Sequence, residues 1–280
     1  MPDLKRVYAR AALQRGSGGS ALPDVREVRE GVSVDVESLV GYARLCGFAV
    51  SNALPPTYPH LMAFPLQMLV LADRAFPLPL LGAVHIENRI TVHRRLTVDQ
   101  PLEVAVWAQG LRDHRRGRQV DLVSEVSVAG ETGVAWRGVS TYLARGAAHP
   151  DAPRSSTPSS DALRAAPPGP RWRLPAGEGR RYAAVSGDWN PIHVHALTAR
   201  PLGFRTAIAH GMDIYARMLA ALGPGLPTEG LASTVWFRKP VPLPSTVQLR
   251  TAAGAEGTLS VLMSGGGEVE HAVVENRTTG

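Results

Sequence analysis

One short segment of the 280-residue sequence carries side chains that could work together as an acid and a base. The segment reads Ser-Gly-Asp-Trp-Asn-Pro-Ile-His and ends at His193. Asn190 followed by Pro191 predicts a helix N-cap and first helical position, which places His193 in the first turn. Gly187 allows a sharp turn before Asp188. The carboxylate and the imidazole can therefore aim at one water molecule, the arrangement that general acid–base catalysis requires.

A second segment supplies a backbone donor that could stabilise negative charge. Ala-His-Gly-Met precedes an apolar run that ends at Leu222, and Gly211 stands at the predicted start of this helix. A free N–H at a helix start, with no side chain to block approach, can donate to a developing oxyanion. Asp188 and Gly211 are distant in sequence, so they can meet only through tertiary structure.

The elements that must position these residues occur twice along the chain. Tyr-Pro-His-Leu-Met in the first half and Ile-Ala-His-Gly-Met in the second each precede an apolar helix and then alternating strands. Aligning His60 with His210 gives an offset of 150 residues, and aligning Val92 with Val241 gives 149. The near-equal offsets predict duplication of one module. The predicted strands cover 83–92, 102–110, 119–129, 132–143, 232–237, 246–252, 258–264 and 268–276.

The order of these elements predicts the fold class and the domain boundaries. One apolar helix followed by antiparallel strands, without helical crossovers between successive strands, is typical of an α+β fold. Residues 146–172 are rich in Pro, Ala, Ser and Gly, which is typical of a linker. We therefore expect modules at 1–145 and 173–280. Within the second module, the short helix that starts at Asn190 is expected to run through Leu197 towards Arg200.

Composition excludes several classes of protein. Hydrophobic residues make up 44% and charged residues 19%, which suits a globular chain with a sizeable core. No apolar stretch is long enough to span a bilayer and the first residues are polar, so we expect neither a transmembrane helix nor a signal peptide. The single cysteine excludes an internal disulfide and a cysteine-based metal cluster. These observations predict a cytoplasmic protein.

The charge balance is basic, at +6, and nearly all of the cations are arginine. Arginine usage of this kind follows from GC-rich coding, or it reflects an anionic partner, since guanidinium groups match phosphates well. Nucleic acid is not favoured, because there is no zinc-finger spacing and no basic helix interleaved with aromatic residues.

The motif around Asp188 and His193, with Ala-His-Gly-Met downstream, resembles that of the MaoC-like (R)-specific enoyl-CoA hydratases and 3-hydroxyacyl-thioester dehydratases. The motif match covers residues 182–212 almost completely. The layout of the whole chain, including Leu-Pro-Pro-Thr-Tyr-Pro-His up to His60, is similar to the double-hotdog members of the HtdX-like type. The resemblance implies two hotdog modules, each an antiparallel sheet wrapped on a central helix.

The resemblance also implies an activity and roles for individual residues. Asp188 and His193 would be the catalytic dyad that activates the water added to a trans-2-enoyl thioester, giving a (3R)-3-hydroxyacyl thioester reversibly. Asn190 would support their loop, and the Gly211 N–H would polarise the thioester carbonyl and stabilise the enolate. The proton roles within the dyad stay open. The residues expected to contact substrate are Ser186, Asn190, His210, Arg238 and Lys239.

The resemblance implies no metal and no redox cofactor, with coenzyme A or phosphopantetheine present only as part of the substrate. Many family members have Asp where this chain has His195. His193 and His195 are spaced i, i+2, so they point to different faces of a helix, and no third ligand is evident. His85, His93 and His114 have no sequence neighbours that suggest chemistry.

The first half lacks the motif, and Leu61 stands where Gly211 stands in the second. We therefore expect one active site per chain. The degenerate half would pack against the catalytic half and shape the acyl pocket, with residues 58–64 lining it.

Other interpretations of the same features remain. A thioesterase on this fold would use a carboxylate on the central helix and would not need the Asn-Pro-x-His segment. A non-catalytic acyl-thioester-binding subunit would not need the dyad. The arginine cluster at 112–118 is read as a solvated hairpin tip, or as a contact for coenzyme A phosphates or an acidic acyl carrier protein. Both a monomer and a homodimer are compatible with the sequence.

Overall fold

A computed structural model describes residues 18–79, 82–153, 157–254 and 257–279, together with Val7 and Gly16. Ten strands form one sheet, in the order β1-β3-β4-β5-β2-β7-β10-β9-β8-β6, and every neighbouring pair is antiparallel. The strands are β1 (Arg26–Val32), β2 (Val84–Val92), β3 (Leu102–His114), β4 (Gly117–Val128), β5 (Trp136–Arg145), β6 (Pro168–Leu174), β7 (Leu231–Phe237), β8 (Ser245–Gly254), β9 (Gly257–Ser264) and β10 (Glu270–Thr278).

Helices occupy the inner side of the sheet and the loops between strands. They are α1 (Val36–Cys46), α2 (Tyr58–Leu71), α3 (Asp161–Arg164), α4 (Glu178–Ser186), α5 (Pro191–Val194), α6 (Ala196–Ala199) and α7 (Gly211–Ala220). In the first half α2 contacts β1, β3 and β4, and it is buried nearly all round because the sheet curves about it. In the second half α7 occupies the equivalent place. None of the described helices is long and apolar enough to cross a membrane.

The strand order is that of a duplicated module. Each half has one outer strand, then three meandering strands, then the strand that follows the central helix, so the order of the first half is mirrored in the second. β2 and β7 pair at the centre of the sheet, from Glu87–Trp236 to Val92–Leu231. One hydrophobic core includes both central helices and strands of both halves. The predicted α+β class is confirmed, and the predicted duplication agrees with this topology.

The predicted elements differ from the structure mainly at the edges of the sheet. β1 and β6, the two outer strands, were not predicted, and β6 begins at Pro168 inside the segment assigned as a linker. Both are largely exposed, so neither shows the apolar alternation by which a half-buried strand is recognised. The rest of the predicted linker joins β5 to β6, and residues 154–156 of it lie outside the described residues. Its helix α3 places Leu163 against Trp236, Val261 and Val273 on the second-half sheet.

The helix expected from Asn190 towards Arg200 is wrong in its length. It stops after one turn because His195 adopts an extended conformation, with φ −154° and ψ 149°. The Nδ1 atom of His195 accepts a hydrogen bond from the Leu197 N–H at 3.1 Å and caps a new turn, α6. A side-chain acceptor at this position competes with continuation of the helix. The expected cap and first position, Asn190 and Pro191, are confirmed.

A buried ionic cluster holds α4 against α7. The Arg217 guanidinium on α7 contacts Glu178 on α4 and donates from Nε to Asp213 Oδ1 at 2.8 Å. Burial raises the pKa of Asp213 to about 6, while the positive charge of Arg217 opposes this rise. Because α4 leads into the Asp188 loop and α7 starts at Gly211, this cluster fixes the two parts of the candidate site relative to each other.

Candidate active site

The turn that carries Asp188 is built from hydrogen bonds of its own residues. α4 ends at Gly187, whose φ of 76° lies in the left-handed region that glycine adopts readily. The Asp188 N–H donates to Ser186 Oγ at 3.2 Å, and the Asn190 N–H donates to Asp188 Oδ1 at 3.1 Å. Asn190 Oδ1 in turn accepts from the Ile192 N–H at 3.3 Å. Ser186 and Asn190 thus shape the loop, although both also line the cavity described below.

His193 is oriented by one backbone carbonyl. Its Nδ1 lies 2.8 Å from the Ile208 oxygen. Since a carbonyl oxygen only accepts, Nδ1 carries the proton and Nε2 is the acceptor. Burial lowers the pKa of the His193 imidazole, although the Asp188 charge acts in the opposite direction. The structure therefore presents a neutral imidazole with an unprotonated Nε2.

His210 stacks on His193 and holds the Asp188 loop. The two ring centroids are 3.7 Å apart, and His210 Nε2 donates to the Asp188 carbonyl oxygen at 2.9 Å. The same nitrogen lies 3.7 Å from the Asp188 carboxylate. Burial, and then the neighbouring His193, lower the pKa of His210 to about 3. His210 was expected to contact substrate; the structure gives it a positioning contact with Asp188, and it also lines the cavity.

Gly211 is the first residue of α7, as the sequence predicted. The first N–H groups of a helix have no intrahelical acceptor, so the Gly211 amide is available to a ligand. A Cβ placed on Gly211 would lie 2.9 Å from Cζ of Phe237. A larger residue at this position would therefore have to displace the aromatic ring beside the amide.

These groups open onto one cavity of about 1270 Å³ that both halves of the chain line. Asp188, His193, His210 and Gly211 form one side of it. β2 and β7 stop pairing at Glu87 and Trp236, and the residues beyond this point on both strands line the cavity. The gap between the two central strands thus gives access to the dyad.

Known proteins are similar to this chain over most of its length. A 3-hydroxyacyl-thioester dehydratase X of Mycobacterium tuberculosis is 38% identical over 240 residues, covering 84% of this chain and 83% of the relative. This chain belongs to the MaoC-like dehydratase family. The family model described as "MaoC like domain" matches residues 170–273, and this range contains the whole dyad segment.

Solved structures of MaoC-like proteins agree with the fold. A crystal structure of HtdX from Mycobacterium tuberculosis has a TM-score of 0.79 and 35% identity, covering 91% of this chain and all of that one. Another Mycobacterium tuberculosis protein, described as a double hotdog, has a TM-score of 0.58 at 14% identity and covers 96% of each chain. The double-hotdog fold expected from the sequence is confirmed.

An (R)-specific enoyl-CoA hydratase of Aeromonas caviae is 35% identical over 72 residues, 25% of this chain and 54% of that relative.

Several basic residues of this MaoC-like chain line the cavity. Arg238 and Lys239 lie there, and Arg238 Nε contacts Glu270 at 3.3 Å. The arginine cluster at 112–118 lies at the tip of the hairpin formed by β3 and β4, as expected. Part of this cluster also lines the cavity. Arg112 in this tip is paired with Asp121 at 3.1 Å, whereas Arg115 and Arg116 are exposed.

The structure brings three potential metal ligands together at the dyad. This set differs from the pair His193 and His195 that the sequence suggested. Atoms of Asp188, His193 and His210 lie within 4.8 Å of one another. His195 is turned away to cap α6. Two of the three clustered side chains already hydrogen-bond to backbone carbonyls. The expectation that the protein needs no metal stays a prediction.

Of residues 58–64, which were expected to line the pocket, His60, Leu61 and Phe64 do so, but sequence reasoning missed other cavity residues of the first half. His85 and His114, which showed no sequence neighbours of interest, both line the cavity, as does Tyr142. His85 stacks on Tyr142 with a centroid distance of 4.8 Å because β2 and β5 pair these two residues. No local motif marks these residues; only strand register brings them together.

Proposed function

We propose that this protein is a hydro-lyase that adds water reversibly to trans-2-enoyl thioesters and forms (3R)-3-hydroxyacyl thioesters. The observation that carries the proposal is the meeting of the Asp188 carboxylate, the His193 imidazole and the Gly211 amide in one cavity. The named activities of its MaoC-like relatives support the reaction and its stereochemistry.

The geometry supports a single concerted set of proton movements. The thioester oxygen would accept from the Gly211 N–H, which stabilises the enolate charge that develops as water adds. His193 Nε2 would take a proton from the water while its oxygen bonds to C3. The Asp188–His193 pair would return one proton to C2, so no net proton is consumed. His210 would keep Asp188 in place through the carbonyl contact.

The basic residues that line the cavity support a thioester of coenzyme A or of the phosphopantetheine arm of a carrier protein. Lys239 and Arg238 lie beside the gap between β2 and β7, with Arg115 and Arg116 on the hairpin tip. Guanidinium and ammonium groups match phosphate oxygens. We propose that these residues hold the phosphate end of the substrate while the thioester reaches Gly211. We still predict that the protein is a monomer or a homodimer and that it is cytoplasmic. We also predict that it needs neither a metal nor a redox cofactor.

The test follows the enoyl absorbance of a short and a long trans-2-enoyl-CoA with purified protein and determines the configuration of the product. We expect loss of enoyl absorbance and a (3R) product with at least one ester. The enoyl carrier-protein thioester is assayed in parallel. Release of free thiol without enoyl loss would identify a thioesterase, and binding without turnover of either thioester would identify a non-catalytic subunit.

The pH dependence of kcat/KM should follow from the buried imidazoles. His193 must be neutral to accept the water proton, and burial lowers its pKa. Its active form therefore persists below the ordinary histidine pKa of about 6.5. We expect kcat/KM to fall on the acid side only below pH 6.5, measured from pH 4 to 9 with stability checked at each pH. An acid limb centred at or above 6.5 in the folded protein would contradict this assignment.

A further inference from the structure

The non-catalytic half contributes a polar surface to the cavity that the proposed reaction does not use. We call His60, His85 and Tyr142 the histidine–tyrosine wall. His60 stacks on His85 at 6.1 Å and His85 on Tyr142 at 4.8 Å, with interplanar angles of 18° and 20°. The three rings form one stack along the cavity lining, and the charge of Asp188 acts on all three.

The middle ring of this wall is held by protein contacts. His85 Nε2 lies 3.4 Å from Asn88 Nδ2, and its ring also makes a backbone hydrogen bond at Glu87. Asn88 Nδ2 donates to Ser140 Oγ at 2.9 Å, so the support is anchored on β5. Since its nitrogens are engaged, His85 acts as a spacer that fixes the two outer rings.

The two outer rings keep unused hydrogen-bonding capacity. Within the described residues, neither His60 nor the Tyr142 hydroxyl hydrogen-bonds to another part of the chain, and both line the cavity. His60 is only 5% exposed. Burial lowers the pKa of His60 to about 4 and raises the pKa of Tyr142, so both groups are uncharged near pH 7. Each offers a neutral hydrogen-bonding group to the cavity, and His85 separates the two along the stack.

Along α2 the residues that line the cavity change from polar to apolar. His60, Phe64 and Met68 follow one another at intervals of four residues on α2 and all line the cavity. They span about 12 Å of helix at 1.5 Å per residue. An acyl chain that extends from the dyad along α2 would therefore pass polar groups first and apolar groups afterwards.

A plain hydrocarbon chain fits this sequence of groups poorly. It would displace water from His60 and Tyr142 and return no hydrogen bond, which is unfavourable for buried polar groups. A substituent that donates or accepts would restore the lost bonds, and sites of this kind discriminate strongly against analogues that lack the group. A carboxylate is disfavoured because the rings are neutral and Asp188 is near.

We propose that the two ends of the wall, His60 and Tyr142, are sites for uncharged hydroxyl or keto substituents on the acyl chain, and so select oxygenated enoyl thioesters. This inference rests on the proposed function for its position relative to the dyad. The substrate class follows from the two unpartnered neutral groups and the apolar lining that continues beyond them.

The test compares trans-2-octenoyl-CoA with its derivatives that carry one hydroxyl at C5, C6 or C7, which are isomers of one another, and with the C8 carboxylate analogue. We expect the best hydroxylated isomer to exceed the parent in kcat/KM by at least ~10-fold, and the carboxylate to fall below it. The inference is overturned if every hydroxylated isomer is at or below the parent. That result leaves the hydratase proposal intact, because the parent is still turned over.

Variants assign the preference to the wall. Tyr142→Phe or His60→Phe, according to which group the hydroxyl reaches, should reduce the preference for the hydroxylated isomer by ~5-fold or more. Tyr58→Phe should keep the ratio, because this phenol on α2 lies outside the cavity, although residues 58–64 were expected to line it. An unchanged ratio in both wall variants would overturn the assignment. If no octenoyl-CoA ester is turned over, the short, long and carrier-protein enoyl thioesters decide the proposed function. Calorimetric binding of octanoyl-CoA and its hydroxylated derivatives then decides the inference by the same ratio.

Discussion

Asp188→Asn should lower kcat by at least ~10²-fold while the protein stays folded. The amide oxygen of the new side chain can still accept from the Asn190 N–H, so the turn keeps its shape. The asparagine side chain lacks the negative charge of Asp188 and cannot exchange a proton, and acid–base catalysis requires both properties. The measurement is single-turnover loss of enoyl absorbance, with circular dichroism to confirm folding.

One control variant and one double variant complete the test of Asp188, and the double variant shows whether Asp188 and His193 act as a unit. Asp161→Asn, an exposed carboxylate on α3, is the matched control and should retain wild-type kcat. The double variant Asp188→Asn/His193→Ala should be about as slow as the slower single variant, because residues that act as a unit show non-additive losses. A double variant whose losses multiply would show that the two groups act independently.

Gly179→Ala should abolish most of the activity although Gly179 bears no functional group. This residue lies in the first turn of α4, where a Cβ would come within 1.8 Å of the His193 carbonyl oxygen. The obstacle is backbone, so α5 must move away from α4 and carry the imidazole with it. A displacement of about 1 Å at a catalytic group can reduce the rate by ~10²-fold. We expect such a loss in kcat/KM, with a decrease of about 1–3 kcal/mol in the free energy of unfolding.

Gly177→Ala provides the matched control for this substitution. It lies two residues earlier, and its Cβ would meet only the Arg180 guanidinium at 3.4 Å, an ordinary van der Waals distance. Both kcat/KM and urea-induced unfolding should stay close to wild type. Activity of Gly179→Ala within two-fold of wild type would show that the close packing of α4 on α5 does not position His193.

The parts of the site that sequence could predict are those set by local chemistry. Asn190 and Pro191 mark a helix start by their own side chains, and Gly211 stands just where an apolar helix begins. Motif and spacing therefore identified Asp188, His193 and Gly211 as candidates. The same local reasoning failed at His195, because a histidine that caps a following turn is not distinguishable in sequence from one that continues a helix.

The roles of other residues depend on contacts between segments that lie far apart. Ser186 and His210 were expected to contact substrate, yet their hydrogen bonds hold the Asp188 backbone. Arg217 on α7 reaches Glu178 on α4, and this pairing is visible only when the two helices are packed. The type of a side chain indicates which interactions it can make, but its role depends on the residue that the folded chain places next to it.

The sequence by itself determined the duplicated module, the α+β class and the chemistry of the dyad segment, because periodicity, capping residues and motif are properties of neighbours along the chain. Only the tertiary structure decided that β2 and β7 pair at the centre of the sheet and that His60, His85 and Tyr142 line the same cavity as Asp188 and His193. Strand register and the packing of two halves are set by contacts over more than a hundred residues, and no local pattern records them.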